Sequence, residues 1–169
     1  LNAGCSLADS CPAPLFSKFK EKYPEHIVVS YINCSAELKT LTDICCTSTN
    51  AVHIIESIPK DKQIIFAPDR NLGKYLIKKT GRDMVLWEGA CMVHEIFSKE
   101  KIVALMHTHP EAKLIAHPEC EPHILEHAHY IGSTSGLLKF SKTDPAKEFI
   151  VATEPGIIYN IERASPDKV

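Results

Sequence analysis

The chain has 169 residues, 44% of them apolar and 24% charged, and a formal net charge of −2. That is enough apolar material for one or two compact domains, while the scattered lysines and arginines leave no basic stripe for nucleic acid or anionic lipid. No apolar run approaches the roughly 20 residues that span a bilayer and no leader pattern opens the chain, so a soluble, cytoplasmic protein is expected, with no nucleic-acid and no membrane partner.

Taken in order, GCSLADSC (4–11) is a glycine–cysteine turn opening a helix predicted over 6–24, which stops near a proline as helices commonly do. IVVSYI (27–32) is a short β-branched run of the kind buried in a parallel sheet. A helix over 35–41, a strand over 43–47, a Ser/Thr turn, a helix over 50–58 and a strand over 63–68 follow. APDRNLG (67–73) reads as a turn and helix start, with Asp69 a candidate cap. The second half repeats the order: helix 92–110, strand 113–117, helix 121–127, strand 129–133, helix 136–141 and strand 148–153.

The repetition has a fixed period. A shift of 86 residues lays the chain over itself without a gap, pairing Pro24 with Pro110, Glu25 with Glu111, Cys34 with Cys120 and Cys5 with Cys91. The same shift sets Thr47-Ser48-Thr49 on Ser133-Thr134-Ser135 and Ile64-Ile65 on Ile150-Val151. The expected fold is therefore α/β: two repeated three-layer α/β/α units with short parallel sheets, over 1–86 and 87–169, pseudo-symmetric about a central active site. The chain opens on Leu1 without a methionine and stops at SPDKV without a helix cap. An internal piece of a longer polypeptide is expected.

In open α/β sheets ligands gather beyond the carboxyl ends of the strands. Those positions hold Tyr31-Ile32-Asn33, His117-Pro118-Glu119 and the two hydroxyl triplets. His117 and Glu119 lie two apart, as do Tyr31 and Asn33, so each pair can share a face. A carboxylate, an imidazole and a phenol in one cleft suit proton transfer, the alternative being a solvated loop with Glu119 merely exposed. The Ser/Thr turns suit phosphate or carboxylate, or are ordinary helix caps.

Seven cysteines without a dense framework point to thiols or metal ligation rather than disulfides. Cys5 and Cys91 follow AG and GA at helix starts, an environment that favours a thiolate; the alternative is a small buried hydrophobe at a tight turn. A further repeat would place a third cysteine just past Val169, and three thiolates would hold an iron–sulfur cluster with one iron open. Cys11, Cys34, Cys45, Cys46 and Cys120 are expected in the core. Among the nine histidines, His107, His109, His123, His127 and His129 are expected on the surface, since no HExxH glutamate accompanies the His123/His127 pair.

GCSLAD, YINCSAE, TSTNAV, APDRNLGKY, WEGACMVHE, HPEC, GSTSGLLK and FIVATEPGI together resemble the quinolinate synthase family of de novo NAD biosynthesis, in the family's order and over all 169 residues. The resemblance implies three pseudo-symmetric α/β/α domains, of which this chain matches the end of the first, the second, and most of the third. It also implies condensation of iminoaspartate with dihydroxyacetone phosphate to quinolinate, with loss of phosphate and two waters. It implies a 4Fe-4S cluster on Cys5, Cys91 and a cysteine beyond Val169, with the open iron a Lewis acid. Substrate contacts carry over to Tyr31, Ile32, Asn33, Ser48, His117, Pro118, Glu119, Ser133 and Thr134, with Tyr31, Glu119 and His117 catalytic and Tyr31 and Glu119 an acid/base pair. L-aspartate oxidase is the implied functional partner. The family's first domain supplies further substrate contacts not found in this sequence, so the chain as written is expected to be an incomplete enzyme. Two rival readings are a non-catalytic phosphate- or dicarboxylate-binding α/β module and a structural zinc protein.

Overall fold

A computed structural model describes residues 4–169, which leaves Ala3 of the AGC motif outside the described residues. The chain divides into two units, Leu1–Met92 and Val93–Val169. Unit 1 runs α1 (Ser6–Asp9), α2 (Ala13–Lys20), β1 (Ile27–Tyr31), α3 (Ala36–Lys39), β2 (Ile44–Cys46), α4 (Ala51–Ser57), β3 (Ile64–Ala67), α5 (Arg70–Thr80) and β4 (Val85–Leu86). The chain passes through α6 (Met92–Glu95) into unit 2, with α7 (Lys99–Thr108), β5 (Lys113–Ala116), α8 (Pro122–Leu125), β6 (Tyr130–Ile131), α9 (Thr134–Thr143), β7 (Phe149–Ala152) and α10 (Gly156–Ala164). The strand orders are β2-β1-β3-β4 and β6-β5-β7, and all the pairings between these strands are parallel. Among the described residues no helix is long and apolar enough to cross a membrane.

Both faces of each sheet are covered, because strands buried on both sides need apolar residues at every position rather than at alternate ones. In unit 1, Val29, Phe66, Leu72, Leu76, Ala51 and Ile55 form one cluster, joining the sheet to α4 and α5. The opposite face packs Val28, Ile65 and Ala67 on Phe16 of α2 and Leu38 of α3. Unit 2 repeats this with Leu114, Ala116 and Ala152 against Ile102 and Ile124, and Ile115 against Leu137, Ile157 and Ile161. The result is the α/β/α sandwich expected from the strand–helix alternation.

The period is visible residue by residue. Phe16, Val28, Cys34 and Leu38 fall on Ile102, Leu114, Cys120 and Ile124 at the 86-residue shift, and both sets are buried. The shift holds through β6, where Val29 opposite Ile44 becomes Ile115 opposite Tyr130. It fails by one residue at β7: Val28 faces Ile65, but Leu114 faces Ile150. The ungapped alignment is thus corrected, with unit 2 one residue shorter between β6 and β7. This moves Ile65 onto Ile150, Leu72 onto Ile157 and Leu76 onto Ile161, matching core to core.

Each long helix expected at a unit's start is two helices. Pro12 stands at the start of α2 with ψ 130, and its ring disfavours a helical Cys11. Ser98 accepts from the Lys101 amide and starts α7 afresh. The sequence reading also lacked β4 and α10, and placed Cys45 in the core. Cys45 is exposed on the outer strand β2, while its neighbour Cys46 points inward.

Candidate active-site groups

The described polar groups gather at the carboxyl ends of the strands. In unit 2, β5 ends at Ala116 and the chain turns at once: the His117 amide donates to the Ala152 carbonyl at 3.0 Å, and the Cys120 amide closes the turn on the His117 carbonyl at 3.0 Å. This turn holds His117, Pro118, Glu119 and Cys120 inside the protein. Glu119 is only 3% exposed, which removes the reading of it as a solvated loop residue.

Glu119 lies between two imidazoles. Its Oε2 is 3.0 Å from His117 Nδ1 and 3.6 Å from His94 Nδ1. The two rings stack with centroids 4.9 Å apart. His117 Nδ1 is also 3.4 Å from the Glu119 amide. In that contact the amide donates and the ring nitrogen accepts, so the 3.0 Å approach of Nδ1 to Oε2 is a close polar contact beside it.

His94, from α6, approaches the same carboxylate from the other side. Burial pushes its imidazole down from 6.5 to about 4, a shift that Glu119 opposes and His117 reinforces, so the ring is neutral at pH 7. At 3.6 Å a neutral ring is a neighbour of Glu119 and not an ion pair. Its Nε2 is 3.1 Å from the Thr153 hydroxyl, just past the end of β7. When Thr153 donates to Nε2, the ring proton sits on Nδ1 and faces the carboxylate, the arrangement its charge favours.

Two buried polar atoms of this group have no hydrogen-bond partner among the described residues: His94 Nδ1 and Glu119 Oε1. Leaving buried polar atoms unpaired is costly unless something else meets them. A buried carboxylate with one oxygen against an imidazole and the other open can take or hold a proton.

Beyond β6, Ser133 starts α9: its Oγ accepts from the Gly136 amide at 3.3 Å and lies 3.0 Å from the Ser135 hydroxyl. Ser133 is buried and Thr134 exposed. In unit 1 the corresponding edge carries Tyr31, buried at the end of β1, with Ile32 and Asn33 exposed and Ser48 half-buried. There the Asn50 side chain accepts from the Thr47 amide at 2.7 Å, closing the turn before α4.

The cysteines separate by environment. Cys5 is exposed ahead of α1 and Cys91 half-buried beside the core, whereas Cys11, Cys34, Cys46 and Cys120 are buried. Burial pushes the Cys11 and Cys46 thiols up to about 12 and raises Cys34, so these stay protonated. The Cys91 amide donates to Asp69 Oδ2 at 3.1 Å. Asp69 also caps α5, as expected, by accepting from the Leu72 amide at 2.7 Å.

His94 and Thr153 were missed by sequence reasoning. His94 has no repeat counterpart, since Ala8 stands at the equivalent place; the available signal was its position three residues after Cys91 on one helix. Thr153 closes a strand and looks like any turn residue.

The sequence model of the family described as quinolinate synthetase A protein matches residues 1–169. The chain is 62% identical over 168 residues to a quinolinate synthase of Nostoc punctiforme, covering 99% of this chain and 52% of that protein. It is 61% identical over 168 residues to the quinolinate synthase of Trichormus variabilis, covering 99% of this chain and 52% of that protein. With that of Microcystis aeruginosa it shares 60% identity over 169 residues, all of this chain and 53% of that protein. The chain thus spans about half the length of these curated relatives. With a match along its whole length, the chain belongs to the quinolinate synthetase A protein family.

Proposed function

We propose that this chain is part of a cytoplasmic quinolinate synthase of NAD biosynthesis, which condenses iminoaspartate with dihydroxyacetone phosphate and releases quinolinate, phosphate and two waters. Atoms balance in that equation without an added oxidant. The supply of an unstable imine by L-aspartate oxidase fits the same reading. The observation that carries it is the buried Glu119 carboxylate, with Oε2 3.0 Å from His117 Nδ1 and Oε1 without a hydrogen-bond partner among the described residues.

The reaction needs protons removed from carbon and delivered to leaving hydroxyls. Glu119 Oε1 serves as the base, with the His117 ring 3.0 Å from Oε2 fixing the carboxylate in place. His94, kept neutral by burial, presents its ring to the carboxylate without neutralising it. Tyr31 supplies a phenol as the second acid/base group. Asn33, Ile32 and Ser48 in unit 1, and Pro118, Ser133 and Thr134 in unit 2, bind carboxylate and phosphate oxygens. Ser133 acts through the helix start that it caps.

A 4Fe-4S cluster fits the donors present. Cys5 and Cys91 are the thiols outside the buried set that burial or strand position accounts for, apart from the edge residue Cys45. Cys5 and Cys91 supply two thiolates, and a third comes from a cysteine after Val169. When bound, the cluster supplies a Lewis acid that assists loss of hydroxyl groups.

The test is the protein encoded by the intact gene, purified without oxygen. The reading expects a brown protein with equal iron and acid-labile sulfide, formation of quinolinate, and loss of colour on Cys91→Ser. A colourless protein that contains zinc and makes no quinolinate would overturn it in favour of a structural zinc site.

A further inference from the structure

We propose that Asp69 is a positioning residue for Cys91, one carboxylate oxygen capping α5 while the other holds the Cys91 backbone. Asp69 is fully buried, two residues beyond the end of β3. A buried carboxylate is destabilising unless donors meet its oxygens. Here Oδ1 accepts from the Leu72 amide at 2.7 Å and Oδ2 from the Cys91 amide at 3.1 Å. A helix cap alone needs only the first of these.

The second bond is the last of a series that ties residues 87–91 to residues 66–70. The Trp87 amide donates to the Phe66 carbonyl at 3.0 Å, the Arg70 amide to the Gly89 carbonyl at 2.8 Å, and Asp69 forms a parallel bridge with Gly89. The approach is so close that a Cβ on Gly89 would strike both the Pro68 carbonyl and the Ser10 hydroxyl. Ser10 belongs to the segment that carries Cys5, and its carbonyl accepts from the Trp87 indole at 3.0 Å. The strap therefore fixes the backbone of Cys91 to the end of β3 and contacts the Cys5 segment. In unit 2 the equivalent acid, Glu154, is exposed and, among the described residues, accepts a local bond from the Gly156 amide at 2.8 Å. The buried two-armed arrangement belongs to unit 1, where the thiol is.

The value of this latch to catalysis rests on Cys91 being a cluster ligand; the latch itself does not. The experiment therefore uses the protein of the intact gene, stripped of iron and fully reduced, and measures alkylation of Cys91 and Cys5 by iodoacetamide through peptide mass spectrometry. Asp69→Asn and Asp69→Ser each keep an oxygen for the Leu72 amide but offer the Cys91 amide no acceptor in its place. Both should raise the Cys91 rate about tenfold, the scale of one lost hydrogen bond to a charged group, with Cys5 unchanged. Equal acceleration of the two cysteines, or none, overturns the proposal. If neither Asp69 variant folds, Gly89→Ala carries the test: it forces the strap away from Pro68 and Ser10 with Asp69 intact and should accelerate Cys91 more than Cys5, and an unchanged Cys91 rate overturns the proposal. Iron content then separates the two ideas. A wild type that binds no iron removes the cluster reading while the alkylation rates still decide the role of Asp69.

Discussion

The two units share a scaffold and differ in what they place at its edge. Tyr31 and Asn33 in unit 1 stand where His117 and Glu119 stand in unit 2, yet Asn33 is exposed and Glu119 is 3% exposed. The difference lies in the turn: in unit 2 the Cys120 amide returns to the His117 carbonyl, while in unit 1 the Cys34 amide reaches only the Ile32 carbonyl. Two further side chains, His94 and Thr153, complete the buried group in unit 2, against Ala8 and Pro68 in unit 1. Duplicating a fold reproduces its core, whereas the chemistry is set by a few residues after each strand.

The cores also differ, and this offers the largest effect on stability. Ile65 sits in β3 between β1 and β4 and is fully buried; Ile150, its equivalent in β7, is only partly buried. Ile65→Ala should destabilise the protein by about 2–5 kcal/mol in urea unfolding and Ile150→Ala by roughly half as much. Equal losses would show that β4 gives unit 1 no advantage.

A smaller effect distinguishes the edge groups. Because His94 titrates near 4 folded and near 6.5 unfolded, the unfolded chain takes up a proton first as the pH falls. The His94 contribution is complete above pH 6.5 and is lost progressively toward pH 4, up to about 3 kcal/mol. Glu119 and Glu154 favour the charged ring and His117 opposes it, but burial dominates. His94→Gln should flatten the fall of urea stability between pH 6.5 and 4, and an unchanged slope would show that the ring is not held neutral.

The smallest effect is a labelling contrast within β2. At pH 8 an alkylating reagent should modify exposed Cys45 at once and spare Cys46, whose buried thiol is pushed up to about 12. Comparable labelling of both would mean that the unit 1 edge opens readily.

Much of this was readable because buried parallel strands announce themselves as β-branched runs, and a fixed period doubles every such signal. IVVSYI and KLIAH, SAELKTL and EPHILEH all became elements in the expected order. His117 and Glu119 were identified from spacing, and the structure brings them to 3.0 Å. The one-residue shortening before β7 was hidden because Ile64-Ile65 and Ile150-Val151 match equally well in either register. His94, Thr153 and the second arm of Asp69 depend on contacts between residues far apart in the chain, such as the 3.1 Å bond from the Cys91 amide to Asp69, which no local pattern encodes.

Glu119 is the residue on which the proposed proton transfer depends. In the protein of the intact gene, purified without oxygen, Glu119→Gln should keep the iron, sulfide and cluster absorbance of the wild type while quinolinate formation falls by about 10²–10⁴-fold in kcat. Turnover at the wild-type rate, with the cluster equally intact, would contradict the assignment of proton transfer to this carboxylate.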